Sequence, residues 1–402
     1  MAMIYQGIST LSRAKRDSAK FLCYLLAFAS VLPYEPYLGP VFVRPILLAT
    51  LVIVLFMFLK ALAGSGVVGN CLPNENYTFT MLVLAVFFVV QGATIGVMFV
   101  GIKEFIEVIA SLTLMVLLLS LRSSLGVFKI LEIFRNASFL MSICWVSLNV
   151  IDGNYITFKD PYWMLLLATV LSLVFFKHRR SPADVFMLLV LIPLDILSAS
   201  RTLWVVIVVI SIMLFGVRRL IIPGLIVALL LILAANYDRQ YGLYYSGIIF
   251  LLNNLFSVIA DPTMLDGNVG NVSDRVRIVE MLRTMQVFLN YPFLGVGVDQ
   301  YQDAVNRMFG SGTHLTAHNE FMRVLAEGGA VLFLIYVVLY RTVWVALKRS
   351  SRDPRVIEVG RLFLVASMLL AFFSATNYMI HFFLQLSVLF LPVMSKALLS
   401  GK

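Results

Sequence analysis

Along most of the chain, apolar residues run for about 20 positions at a time, separated by short basic or turn-forming stretches. An α-helix needs about 20 apolar residues to cross roughly 30 Å of hydrocarbon. Only helices and closed barrels satisfy their backbone in lipid, and unbroken runs lack the alternation of a barrel strand. The pattern therefore predicts an all-α, polytopic integral membrane protein. Helices are expected at roughly 19–34, 41–62, 78–100, 104–121, 131–151, 161–177, 184–199, 202–217, 219–235, 319–347, 356–376 and 380–399, about twelve spans. One polar stretch interrupts them. It divides the chain into an N-terminal bundle at 1–235, a large loop at 236–318 and a C-terminal group of about three spans at 319–402. Within the loop, 243–260 is apolar, yet Ser246, Asn253, Asn254 and Ser257 make a polar stripe along it. That stripe predicts an amphipathic helix lying in the membrane interface rather than a further span.

Composition agrees with the pattern. The chain is 61% hydrophobic and 13% charged, whereas a soluble domain is about half apolar and a quarter charged. The net charge of +10 raises the question of nucleic acid, but its distribution excludes that use. The basic clusters Arg13 to Lys20, Lys177 to Arg180, Arg218-Arg219 and Arg341 to Arg361 each flank an apolar run. Positive residues are retained on the cytoplasmic side. That rule places both termini in the cytoplasm and the 236–318 loop outside. Cys23, Cys71 and Cys144 have no metal-ligand spacing and read as packing residues. The N-terminal basic stretch and apolar run are read as an uncleaved first span rather than a signal.

Candidate chemistry gathers on the outer side. The loop holds Arg239, Arg275, Arg277, Arg283 and Arg307 but no lysine. Arginine offers a planar fork that grips phosphate or carboxylate with two bonds; the plainer reading is salt bridges with Asp266, Asp274, Glu280 and Asp303. Arg201 sits in Asp195 to Trp204 (DILSASRTLW) between two spans, beside Ser198 and Ser200. It is either an anion clamp or a side chain snorkelling to headgroups. Asn271 to Asn290 predicts a helix capped by Ser273 or Asp274. On it, Arg275 and Arg277 point about 200° apart, so both reach one ligand only near its first turn. Pro292 ends that helix and Gly295-Val296-Gly297 makes a tight turn. His318 and Asn319 stand where the loop meets the next span. His318 is a general-base candidate, since neutral imidazole accepts a hydroxyl proton, or a hydrogen-bonded interface residue. His314 is a weaker rival, His381 with Asn377 and Tyr378 is expected at the outer end of the last span as a candidate lining of the same cavity, and His178 falls on the cytoplasmic side. Lys103, Glu104 and Glu107 read as anchors at an outer helix start. No metal cluster or nucleotide-binding loop is visible.

Arg201 between two spans, the arginine-bearing outer helix ending in Pro292-Phe293-Leu294-Gly295-Val296-Gly297, and His318-Asn319 followed by Glu327-Gly328 together resemble the O-antigen ligase and polymerase family. The resemblance covers about Ser198 to Gly329 and the overall span count. Met281 stands where the family often has an aromatic residue. The resemblance implies a bacterial inner-membrane glycosyltransferase with a periplasmic active site and no metal, ATP or other cofactor. Its donor would be O-antigen on undecaprenyl diphosphate and its acceptor lipid A–core oligosaccharide, in lipopolysaccharide biosynthesis. Arg201, Arg275 and Arg277, with Arg277 the nearer match, would bind the diphosphate, and His318 would deprotonate the acceptor hydroxyl. A single arginine-rich outer loop favours the ligase over a polymerase using the same donor. A transporter of anionic lipid is the reading from another class. It calls for charges near the midplane in paired halves, whereas these spans show few ionisable residues, Asp195 being the most suggestive.

Overall fold

The computed structural model describes residues 17–29, 37–38, 41–42, 75–151, 162–197, 201–221, 272–310, 319–350, 354–373 and 386. These residues are helical apart from turns and one minimal hairpin. After α1 (17–29), β1 (Tyr37–Leu38) pairs antiparallel with β2 (Val41–Phe42). Strand at Val41–Phe42 corrects the helix expected to begin at 41. Then come α2 (Glu75–Ile95), α3 (Met98–Leu125), α4 (Val127–Ile151), α5 (Tyr162–Arg179), α6 (Pro182–Leu197), α7 (Arg201–Phe215), α8 (Val272–Asn290), α9 (Tyr301–Phe309), α10 (Glu320–Ser350) and α11 (Pro354–Phe373). The helices α2 to α7 and α11 lie within a few residues of where the apolar runs placed them. The expected helices at 219–235 and 380–399 lie almost wholly outside the described residues, and the one at 243–260 wholly so.

Neighbouring helices in sequence pack as antiparallel pairs. The pair α2–α3 meets α10, α4 packs on α5, α5 on α6 and α7, and α11 bridges α7 and α10. One apolar core runs through them all. The outer faces are apolar as well. On α2, Tyr77, Met81, Leu84 and Phe88 are buried while Phe79, Val83, Val86 and Val90 point away from the protein, Phe79 at 68% exposure. In water such a face would be a large liability; in lipid it is the ordinary state. Among the described residues, two helices are long and apolar enough to cross a membrane, Glu75–Ile95 and Glu320–Arg349.

Polar groups turn inward instead. Ser138 and Ser142 hydrogen-bond carbonyls one turn back, and the Thr169 hydroxyl donates to Asp195 at 2.7 Å. Ionisable groups inside the helices are more numerous than the sequence pattern suggested, because i,i+3 partners and partners on other helices hide them. At one end of the bundle Arg135 binds buried Asp184, Arg179 and Lys129 share Glu132, and Lys177 reaches Glu358. Thus two basic clusters expected on the same side, around 177–180 and 341–361, do meet. The guanidinium groups of Arg135 and Arg179 both lie on the Phe175 ring.

Breaking a buried pair strands a charge in a place that cannot solvate it, at about 3–5 kcal/mol. Asp184→Asn should therefore lower the thermal midpoint of detergent-purified protein by several degrees. The apolar double replacement Arg135→Met with Asp184→Leu should restore most of it.

Candidate functional site

The site is built around a break in α10. At Gly329 the backbone leaves the helical region (φ 64°, ψ −167°), and the chain reverses. The Phe321 ring lies 6.3 Å from that of Phe333 and 6.4 Å from that of Tyr340. On a continuous helix, residues 321 and 340 would stand about 28 Å apart. Residues 320–328 therefore form a short arm folded back along the shaft, 330–350. This corrects the single span expected at 319–347: the straight segment begins after Gly329, and Asn319 lies beside the shaft rather than at its outer end.

A helix break leaves the last carbonyls of one piece and the first N–H groups of the next without partners. The Pro292–Gly297 turn supplies them. Val296 and Gly297 donate to the carbonyls of Ala326 and Glu327, both at 2.9 Å. Ala330 and Val331 in turn donate to those of Pro292 and Phe293, at 2.8 and 3.3 Å. The Gln91 amide, from α2, donates to Leu294 and Glu327 carbonyls at 2.6 and 2.7 Å. Here two backbones touch. A Cβ on Gly329 would collide with the Phe293 carbonyl, and one on Gly295 (φ 66°) with Glu327. The two motifs that sequence order alone set side by side are thus halves of one interlock.

Helices α8 and α9 hang from it. Val287, Val296, Tyr301, Ala304, Val305 and Ala326 make a second, smaller core. Beside it the Tyr301 hydroxyl contacts Thr284 at 2.7 Å and donates to buried Glu280 at 3.0 Å. Burial pushes the Tyr301 phenol well above its ordinary pKa, so it stays protonated. Arg283 pairs with Glu280 at 3.2 Å and lies over Phe309, and Arg307 bonds the Asp303 carbonyl at 3.3 Å. For Arg283 the salt-bridge reading holds, whereas Arg307 meets the backbone of Asp303 rather than its carboxylate. Lys103 straps the turn to α3 through Asp299, at 3.2 Å. Asp299 itself is left-handed (φ 58°), a conformation Asp tolerates better than most residues.

Arg275 and Arg277 fall in the first turns of α8. That helix starts at Val272, so Ser273 and Asp274 lie inside it rather than capping it. Arg201 is the first residue of α7, whose Trp204 indole donates to the Asp195 carbonyl of α6 at 2.7 Å. The side chains of these three arginines, and all of His314, His318 and His381, lie outside the described residues. Asn319 caps the arm: its Oδ1 accepts the Met322 N–H at 3.0 Å. His178 packs against Phe128 near Glu358, at the basic end. Both α8 and the arm run toward the interlock and touch each other. Their N-terminal turns, which carry Arg275-Arg277 and Asn319, are therefore both directed away from one shared anchor.

Two further features were not foreseen. Arg323 bonds Glu320 with two nitrogens, at 3.0 and 2.9 Å, and reaches Glu327 at 3.3 Å. The i,i+3 and i,i+4 spacings were its only signal. In the crook between arm, shaft and α11 lies a cavity of about 830 Å³, lined by Asn319, Arg341 and otherwise mostly apolar side chains including Phe321, Phe333, Leu364 and Met368.

Residues 185–337 match the family model described as O-antigen ligase. Over this stretch, somewhat over a third of its length, the chain is similar to that family. It opens in α6 and closes in the shaft, and so contains the α6–α7 joint, α8, the interlock and the arm. No curated protein matches the chain. The match is to a family described as O-antigen ligase, and two described helices are long and apolar enough to cross a membrane.

An interlock made of backbone should resist side chains at its glycines. Gly329→Ala should lower the yield and thermal midpoint of folded protein far more than Gly96→Ala. Gly96 also has positive φ (83°) but open space around it, so its substitution should cost only about 1–2 kcal/mol.

Proposed function

We propose that this chain is an O-antigen ligase of the bacterial inner membrane. It moves O-antigen polysaccharide from undecaprenyl diphosphate to lipid A–core oligosaccharide at a site facing the periplasm. The observation that carries the reading is the O-antigen ligase match over 185–337, the segment that holds Arg201, Arg275, Arg277 and His318. The topology is compatible with their convergence, because α8 and the arm share one anchor. In this reading the ion pairs around Lys177 and Glu358 lie toward the cytoplasm and the interlock toward the periplasm, as the basic clusters suggest. Both termini are then cytoplasmic, with about twelve spans around the 236–318 loop.

The chemistry follows from the residue types. The imidazole of His318 takes the proton of the acceptor hydroxyl. That oxygen attacks the anomeric carbon as the bond from carbon to the diphosphate oxygen breaks, which inverts the centre. The electron pair leaves on undecaprenyl diphosphate, and the guanidinium groups of Arg201, Arg275 and Arg277 take up the growing charge. The diphosphate is already a good leaving group, so no protonating acid is needed. The apolar cavity beside Asn319 suits the hydrocarbon tail of such a lipid.

His318→Ala should reduce transfer about 10²–10⁴-fold, the usual contribution of a general base. On an envelope glycolipid gel, long-chain lipopolysaccharide should vanish while lipid-linked O-antigen of normal length accumulates. Surviving long chains would remove His318 from the base role, and loss of chain lengthening would identify a polymerase. Arg277→Lys keeps the charge but loses the fork. It should slow transfer about 10²- to 10³-fold, the range seen for lost oxyanion donors. Unchanged donor KM and turnover would exclude two-pronged binding there.

A further inference from the structure

We propose that the end of the cavity where α10 stops and α11 starts binds an anionic glycerophospholipid, its phosphate among Arg341, Lys348 and Arg361 and its acyl chain along the apolar wall. The inference goes beyond glycosyl transfer and needs only that these helices lie in a bilayer. It starts from how the wall ends. On the shaft, Val337, Arg341 and Trp344 line the cavity, and the same helical stripe continues one turn further to Lys348. On α11 the lining residues Met368 and Leu364 share a stripe with Arg361, one turn nearer the start of that helix. Both stripes are apolar toward the interlock and cationic at the other end. A groove of that kind has the two-part character of a phospholipid.

Trp344 stands at the change from one character to the other. The Lys348 ammonium and the Arg361 guanidinium each lie 5.3 Å from the centre of its ring, so the two cations are no more than twice that distance apart. Like charges held this close repel unless an anion answers them. Elsewhere at this end of the bundle the basic groups are answered: Arg135 by Asp184, Arg179 by Glu132 and Lys177 by Glu358. Arg341, Lys348 and Arg361 make no ion pair among the described residues, and Glu358, the acid one turn before Arg361, is already held by Lys177. The Arg361 Nε is moreover shut away from solvent and meets no acceptor among the described residues, a costly state for a donor. Phosphate fits such a place. Arginine forks take its oxygens two at a time, lysine adds a point charge, and basic pockets between membrane helices on the cytoplasmic side hold anionic head groups. The donor's diphosphate belongs at the opposite, periplasmic end, so these cations serve a different lipid.

The test is quenching of tryptophan fluorescence in purified full-length protein in neutral detergent, titrated with phosphatidylglycerol or phosphatidylcholine brominated on the acyl chain. Bromine quenches an indole only near contact, and comparison with Trp344→Phe isolates the Trp344 signal. Each cation favours an anionic lipid about fivefold. Trp344 should therefore be quenched by phosphatidylglycerol at concentrations about 10- to 100-fold below those needed of phosphatidylcholine. Arg341→Gln with Arg361→Gln should bring that ratio to about fivefold or less. Arg218→Gln with Arg219→Gln removes the same charge from another exposed basic pair and should leave the ratio within about twofold of the parent. Three results would overturn the proposal. Equal quenching by the two lipids would leave the cavity to uncharged tails, equal loss in the two double variants would reduce the preference to general surface charge, and quenching unchanged by Trp344→Phe would put the lipid elsewhere. None of them touches the transferase reading. If the double variant fails to accumulate as folded protein, Arg341→Gln alone, at an exposed position, should still lower the ratio about fivefold, and an unchanged ratio there would equally overturn the proposal.

Discussion

The structure of this protein hangs on one exchange of backbone hydrogen bonds. Where α10 breaks at Gly329, two carbonyls and two N–H groups lose their helical partners, and the Pro292–Gly297 turn satisfies all four. A single such bond contributes only about 1 kcal/mol net, but leaving its members buried and unpaired costs about 1–3 kcal/mol each. Neither segment could hold its shape without the other. The turn needs the broken helix, and the broken helix needs the turn. Gln91 adds a third party by binding carbonyls on both sides of the joint, which locks the loop elements to the membrane bundle.

From that joint the arrangement of everything functional follows. The arm can fold back on the shaft because Gly329 adopts a backbone conformation closed to other residues. The fold-back places Asn319 beside Tyr340-level shaft residues and opens an apolar cavity against α11. Helix α8 is carried on the same joint through the small core around Val287 and Ala326. Helix α8 and the arm that begins at Glu320 are thereby tied to one reference, although they lie far apart in the chain. Lys103 and Asp299 strap the joint to α3 from the other side.

The bundle manages charge in the manner of a protein whose surroundings cannot hydrate it. Apolar side chains face outward, and Arg135, Asp184, Glu320, Arg323 and Glu327 face inward and pair. Buried pairs of this kind are weak sources of stability but strict about geometry, because their desolvation is recovered only when partners meet well. They are accordingly suited to holding a helix end in one place.

The sequence by itself determined the helices. Apolar runs of membrane-spanning length predict α2 to α7 and α11 closely, since lipid demands continuous apolar length and leaves few alternatives. It also singled out Pro292 to Gly297, because proline and glycine carry backbone constraints that are legible locally, while Glu327-Gly328 stood out only through the family resemblance. Only the tertiary structure decided what those constraints were for. The reversal at Gly329 was invisible because a glycine within an apolar run reads equally as a helix that passes straight through. Gln91 and Arg323 drew no attention in the sequence, because spacing along one helix says nothing of what stands opposite. Hydrogen bonds between segments tens or hundreds of residues apart, such as Gln91 to Glu327, depend on how the chain closes on itself, and no local pattern encodes that closure.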